Sequence, residues 1–308
     1  MTPEGTLVTI TRAQALAAGY DDNDVAAAIR DGRWTRVRRG TYAVASSGGS
    51  PLSLEERHVQ RARAIGARLR TGFALSHQSA LLVHAIPVWG ASLENVLVTR
   101  PATTSRTRAG VTFHRADLER HESVLVATLP VTSLSRSLVD LAAETGFEPG
   151  VCSMDAALRS GAVCHADLAR AVARRAGRTG AAHARRAVAF ADGGSESVGE
   201  SRLRVAISEV GLPRPVLQRL FQDERGRAIG RVDFWWPDAN VIGEFDGLVK
   251  YRGTMGQPVE VLIAEKRRED RLRALTGATV VRVTWRELDD RPALERSLRR
   301  ALAEAAAC

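Results

Sequence analysis

The sequence predicts a mixed α+β chain built from several domains, and three observations carry that reading. Its 308 residues exceed an ordinary domain of ~100–200 residues. Two Gly/Ser-rich stretches, "SSGGSP" at 46–51 and "DGGSES" at 192–197, interrupt the apolar periodicity and mark boundaries. Around them, helical spacing alternates with short β-favouring runs. The expected division is two short helices and a hairpin over 1–48, an α+β unit over 52–146, a helical connector over 147–193, and a closing α-β-β-β-α-β domain over 195–308.

Thr11 is placed to cap a short helix ending at Gly19, and Asp21 or Asp22 to cap a second that stops at Gly32. "WTRV" and "TYAV" flank "RRG" and predict a hairpin. Two helices followed by a hairpin is the outline of a winged helix-turn-helix. Arg30, Arg33, Arg36, Arg38 and Arg39 cluster at the end of the second helix and along the hairpin, where they can meet phosphates and a groove. A solvated hairpin with scattered arginines is the plainer alternative.

In the middle region, helices are expected in "LSLEERHVQRARAIGARLR", "ALSHQSALLVHAIPVW" up to Pro87, and "SRSLVDLAAETG". Strands are expected in "NVLVTR", "VTFHRADL" and "ESVLVATLPVTSL". His77, His84 and His114 match no common metal-ligand spacing, so they read as ordinary polar or packed histidines. The alanine-rich segments of 148–192 read as helices with a solvated arginine face.

The closing domain begins with a helix, "SESVGESRLRVAISEVGL", followed by strands "PVLQRLFQ", "RVDFWWP" and "VIGEFDG". A helix over 259–276, a strand "ATVVRVTW" and one closing helix "RELDDRPALERSLRRALAEAA" complete it. Strand alternation puts Glu244 and Asp246 on one face, and a turn of about four residues brings Asp233 near Glu244. Clustered carboxylates are costly. A divalent cation, Mg²⁺ or Mn²⁺, offsets that cost and can activate water for phosphodiester cleavage. Helical spacing places Glu265 and Arg268 on the inward stripe with Val261, Leu272 and Leu275, beside Lys266 and Asp270. Plainer roles also exist: Glu200 completes a capping pattern with Ser197, Asp246 precedes a turn glycine, and Trp235 and Trp236 suit packing.

Composition narrows the function classes. There are 44 Lys+Arg against 35 Asp+Glu, a net charge of +9, which fits a polyanion partner such as nucleic acid. Abundant Arg and Ala with scarce Lys make part of that excess compositional. Cys152, Cys164 and Cys308 form no CxxC pair and are odd in number, which argues against a disulfide framework and against a zinc site, and for a reducing, cytoplasmic setting. No apolar run approaches the ~18 residues of a membrane span, and the first residues lack the apolar core of a signal peptide.

Two resemblances add to this reading. The order of elements from 195 to about 290, with "RVDFWWP", "GEFDG", "EKRREDRLR" and "VVRVTW", resembles the PD-(D/E)XK nuclease superfamily, in its branch related to very-short-patch-repair endonucleases. That resemblance implies Asp233 and Glu244 as metal ligands, Glu200 as an acidic helper, and a restriction-endonuclease-like fold. The lysine expected two positions after the glutamate is Asp246 here, so Lys250 or Lys266 would have to replace it. "ITRAQALAAGYDDNDVAAAIRDGRWTRVRRGTYAV", with "SHQSALLVHAIPVW" and "LPVTSLSRSLVDLA", resembles the AbiEi-type antitoxins of type IV toxin–antitoxin systems. That resemblance implies promoter binding by a winged helix, repression, and a cognate toxin as partner. The leading expectation is a DNA-binding protein with a metal-dependent endonuclease-like domain. The alternatives are a repressor or antitoxin-like regulator whose closing domain is non-catalytic, and an RNA-processing nuclease.

Overall fold

In the computed structural model, which describes residues 8–30, 34–44, 52–102, 104–247, 268 and 271–305, the chain is a multidomain mixture of helices and three sheets. It forms two units. The first comprises 1–149 with 165–185, and the second 150–164 with 186–308. The helices of 147–193 are thus shared out between the two units.

The first unit opens with β1 (Val8–Thr11), α1 (Arg12–Ala17), α2 (Asp22–Arg30), β2 (Trp34–Arg38) and β3 (Thr41–Val44). Thr11 closes α1 from the front: its hydroxyl accepts from the Gln14 N–H at 3.2 Å, while the Gln14 carboxamide accepts from the Thr11 N–H at 2.8 Å. The strand before this cap was not anticipated. It pairs with β3, giving the sheet order β1-β3-β2. Ala15, Val25, Ala28, Trp34 and Tyr42 form the small core beneath it.

Beyond it stand α3 (Leu54–Gly66), β4 (Ala74–Leu75), α4 (His77–Val83), β5 (Val96–Arg100), β6 (Arg106–Arg108), β7 (Val111–Arg115), β8 (Ser123–Val126), β9 (Leu129–Thr132) and α5 (Leu134–Thr145). The six strands form one sheet in the order β6-β7-β5-β4-β9-β8. One long helix was expected from 74 onward. Instead Ala74 and Leu75 join the sheet between β5 and β9, and α4 starts only after Ser76. Leu75, Val96, Val98 and Val131 are its fully enclosed centre. At its edge Arg136 of α5 is buried between Asp140, at 2.7 Å, and Glu122, at 2.9 Å. Arg175 of α7 (His165–Arg174 and the turn after it) also pairs with Asp140.

The second unit contains α9 (Val198–Glu209), β10 (Val216–Gln222), β11 (Ala228–Trp236), β12 (Val241–Asp246) and β13 (Thr279–Thr284), preceded by parts of α6 (Phe147–Arg159) and α8 (Ala181–Phe190). The sheet order is β10-β11-β12-β13, antiparallel except for the parallel pair β12–β13. Phe234, Trp236, Val241 and Val283 pack under Leu203 and Ile207 of α9. Val232, Ile242, Leu272 and Ala278 fill a second core. Leu275, expected on the inward stripe, is 42% exposed, so the stripe ends at Leu272. The closing segment is two helices, Trp285–Asp289 and Arg291–Ala305, not one. Thr284 and Glu287 form a capping box that starts the first, and it stops at Asp290, with Pro292 opening the second. Among the described residues no helix is long and apolar enough to cross a membrane.

Arg204 of α9 is 2% exposed and donates to Asp155 at 2.6 Å and to the Phe190 carbonyl at 2.8 Å. Asp155 also accepts from the Asp192 N–H. Burial still pushes the Asp155 carboxyl above its ordinary range, against the pull of Arg204. Removing one partner leaves the other charge stranded. Arg204→Met is therefore expected to destabilise the fold by about 3–5 kcal/mol, measured by urea unfolding. Arg204→Met combined with Asp155→Leu should recover a large part of that loss.

Candidate nucleic-acid interface and acidic cluster

The front of the first unit separates its charges. The exposed start of α2 carries Asp22 and Asp24, and Asp22 is paired with Arg12 at 2.5 Å. That pairing holds the Asp22 carboxyl below its usual range. Positive charge lies at the hairpin, where Arg36 and Arg39 are exposed. Gly40, at φ +73°, makes the turn that a residue with a side chain would strain. The side chains of Arg30 and Arg38, and all of Arg33, lie outside the described residues. Arg36 also lines a groove of about 470 Å³ with Arg57 and Arg61 of α3. Arg61 is steered there by donating to the Glu94 carbonyl at 2.7 Å and to the Leu93 carbonyl. Burial, and then the charge of Arg57, lower its pKa. Sequence reasoning missed Arg57 and Arg61, because an i,i+4 pair of arginines on a charged helix looks like any solvated face.

The acidic cluster lies in the second unit. Phe234 pairs with Gly243, so Asp233 and Glu244 come next along the antiparallel register. Asp233 accepts the Phe245 N–H at 2.9 Å and the Gln218 carboxamide at 3.3 Å. Gln218 also donates to Glu200 at 2.9 Å, tying α9 to the sheet. It does so from φ +51°, a left-handed conformation that costs energy in a non-glycine residue. Glu200 is buried and accepts further from Ser197 Oγ and the Glu196 N–H, both at 2.8 Å, so it caps α9 and faces Asp233 together. Gly199 lets α9 approach, since a Cβ there would stand 1.9 Å from the Phe245 ring. Burial raises the pKa of both Glu200 and Asp233, and the charge of Asp233 raises Glu200 further.

Glu244 is engaged differently. Its Oε1 accepts from Arg268 at 2.7 Å, and Arg282, its parallel partner on β13, lies 3.9 Å from its Oε2. Asp246 ends β12 opposite Thr284. Lys250, Glu265, Lys266 and Asp270 lie outside the described residues. A Mg²⁺ or Mn²⁺ site needs carboxylate oxygens turned toward one point. Among the described residues, the Asp233 oxygens accept from an amide and a carboxamide, and Glu244 Oε1 accepts from an arginine.

The family "Transcriptional regulator, AbiEi antitoxin" matches residues 6–45, the segment that carries the basic hairpin. Two curated proteins of Mycobacterium tuberculosis are similar to the chain: Uncharacterized protein MT2308, of strain CDC 1551, and Uncharacterized protein Rv2248, of strain H37Rv. Each is 33% identical over 215 residues, which is 68% of this chain and 75% of the relative. Among solved structures, the RV2827C protein of Mycobacterium tuberculosis matches at a TM-score of 0.38 and 16% identity, over 70% of this chain and 83% of that one.

The raised carboxyl pKa values predict a pH effect. Folding favours the protonated forms of Glu200 and Asp233, so their contribution to stability is greatest at low pH and is lost as pH rises above the ordinary carboxyl range. Asp233→Asn keeps an acceptor for the Phe245 N–H and removes the charge. Its melting temperature is expected to rise by a few degrees at pH 7, on the order of 1 kcal/mol, and the gain should vanish near about pH 3.

Proposed function

The chain belongs to the family of the mycobacterial proteins MT2308 and Rv2248, and we propose that it is a DNA-binding transcriptional regulator of the AbiEi antitoxin type, a toxin being its partner. The match of residues 6–45 to that regulator family is the observation that carries this reading. The element order β1-α1-α2-β2-β3 supports a winged helix-turn-helix. The acidic start of α2 and the basic hairpin suggest how DNA is met. Phosphates would repel Asp22 and Asp24 and attract Arg36 and Arg39, so the hairpin and the end of α2 would make the backbone contacts. Arg57 and Arg61 would continue that contact along α3.

In this reading the second unit is a non-catalytic module with a nuclease-like order of elements. Arg268 on Glu244 supports it, because a bound arginine already balances the carboxylate that cleavage would need. The cluster of Glu200, Asp233 and Glu244 favours a second reading, an endonuclease dependent on Mg²⁺ or Mn²⁺. Incubating the purified chain with DNA and either cation decides between them: strand cleavage abolished by Asp233→Ala and Glu244→Ala would overturn the non-catalytic reading.

Binding measured by fluorescence anisotropy on DNA from upstream of the chain's own gene should weaken steeply with salt. Arg36→Ala combined with Arg39→Ala is expected to weaken it ~10-fold at moderate salt. The same pair should lower the slope of log K against log[salt] by about 1.8, at ~0.9 for each phosphate that is no longer neutralised. An unchanged slope would remove the hairpin from the interface.

A further inference from the structure

Two buried or half-buried histidines of the first unit have ordinary partners. His58 sits between the Leu93 carbonyl and Ser79 Oγ, and His84 meets the Thr132 carbonyl at 2.9 Å. His77 and His114 are placed otherwise. Ser76 donates its N–H to the Leu97 carbonyl, which sets the start of α4 against β5. Thr99 of β5 pairs with His114 of β7. The two imidazoles therefore stack, with ring centres 4.2 Å apart and a tilt of 30°. Both turn Nε2 toward Oε2 of Glu144 in the last turn of α5, at 3.1 Å from His77 and 3.5 Å from His114.

We propose that His77 Nε2, His114 Nε2 and Glu144 Oε2 are a three-ligand site for a divalent transition metal of the Zn²⁺ class. The three atoms lie within 4.8 Å of one another. Zinc bonds of ~2.0–2.1 Å at tetrahedral angles put ligand atoms roughly 3.3 Å apart, and the contacts of 3.1 and 3.5 Å bracket that spacing. Two imidazoles and one carboxylate is a donor set that Zn²⁺ accepts, with a fourth position left over. Solvent reaches the carboxylate of the set, since the Glu144 side chain is 41% exposed.

Two further observations point to a ligand. His114 Nε2 is buried and makes no hydrogen bond, a costly state for a ring nitrogen. His77 is 4% exposed and is held at φ +52°, outside the ordinary range for a residue with a side chain. Its Nδ1 lies 3.0 Å from Ser76 Oγ, the kind of second contact that fixes the ring of a metal-bound histidine. The nearby cations do not oppose a metal strongly: Arg136 and Arg175 are both paired with Asp140.

The test uses the full chain, stripped with a chelator and titrated with Zn²⁺ by calorimetry and with Co²⁺ by visible absorption. One Zn²⁺ per chain, bound on the order of micromolar or tighter, and tetrahedral Co²⁺ bands are expected. His114→Gln and Glu144→Gln should each weaken binding at least ~10–100-fold, the loss that even an outer partner of a metal ligand produces. Cys164→Ser, which alters an exposed thiol, should change nothing. The half-exposed Glu144 makes Glu144→Gln the variant expected to keep the fold, checked by its melting temperature in chelator. Absence of stoichiometric uptake by the parent, or equal uptake by the parent and Glu144→Gln, would overturn the assignment.

Discussion

Taking a charge out of water costs several kcal/mol unless a partner goes with it, and that constraint organises both units. In the first, Arg136 is enclosed only because Glu122 and Asp140 flank it. In the second, Arg204 and Asp155 join α9 to α6, with backbone groups completing the set. The Glu200–Asp233 pair meets the same demand less fully. Among the described residues its hydrogen bonds come from Gln218, Ser197 and two backbone amides, none of them a cation, and both carboxyls are driven toward protonation. Among the described residues, Glu244 alone of the three forms an ion pair, at 2.7 Å from Arg268.

This distribution connects structure to function. In the second unit the acidic cluster is engaged by an arginine and a carboxamide, and in the first unit Arg36, Arg39, Arg57 and Arg61 offer positive charge to a polyanion. Phosphate contacts of that kind position a protein on DNA without reading bases. The regulator reading and the basic hairpin therefore agree, and neither depends on the carboxylates being catalytic.

Much of this was legible in the sequence, and the gaps have physical causes. Thr11 and Ser197 announced their helices because a capping side chain acts within three residues. Asp233 beside Glu244 followed from strand alternation and a short turn, both local rules. Gln218 was invisible, since its reach to both carboxylates depends on a left-handed backbone that no propensity foretells. β1 was missed because its stability comes from pairing with β3, thirty or more residues away, and not from its own four residues. His77, His114 and Glu144 come from three elements brought together by sheet register, so their spacing in the chain carries no signature. The closing segment did carry a signal, Asp290 followed by Pro292, and reading it as one helix gave too much weight to its overall apolar period.

The most direct test of the regulator account is a nuclease-protection footprint of the full chain on the DNA upstream of its own gene. The account predicts one discrete protected segment at a protein concentration that leaves flanking DNA open, and loss of that protection when Arg36 and Arg39 are both replaced by alanine. Uniform coverage with no preferred segment, or no protection at all, would contradict it.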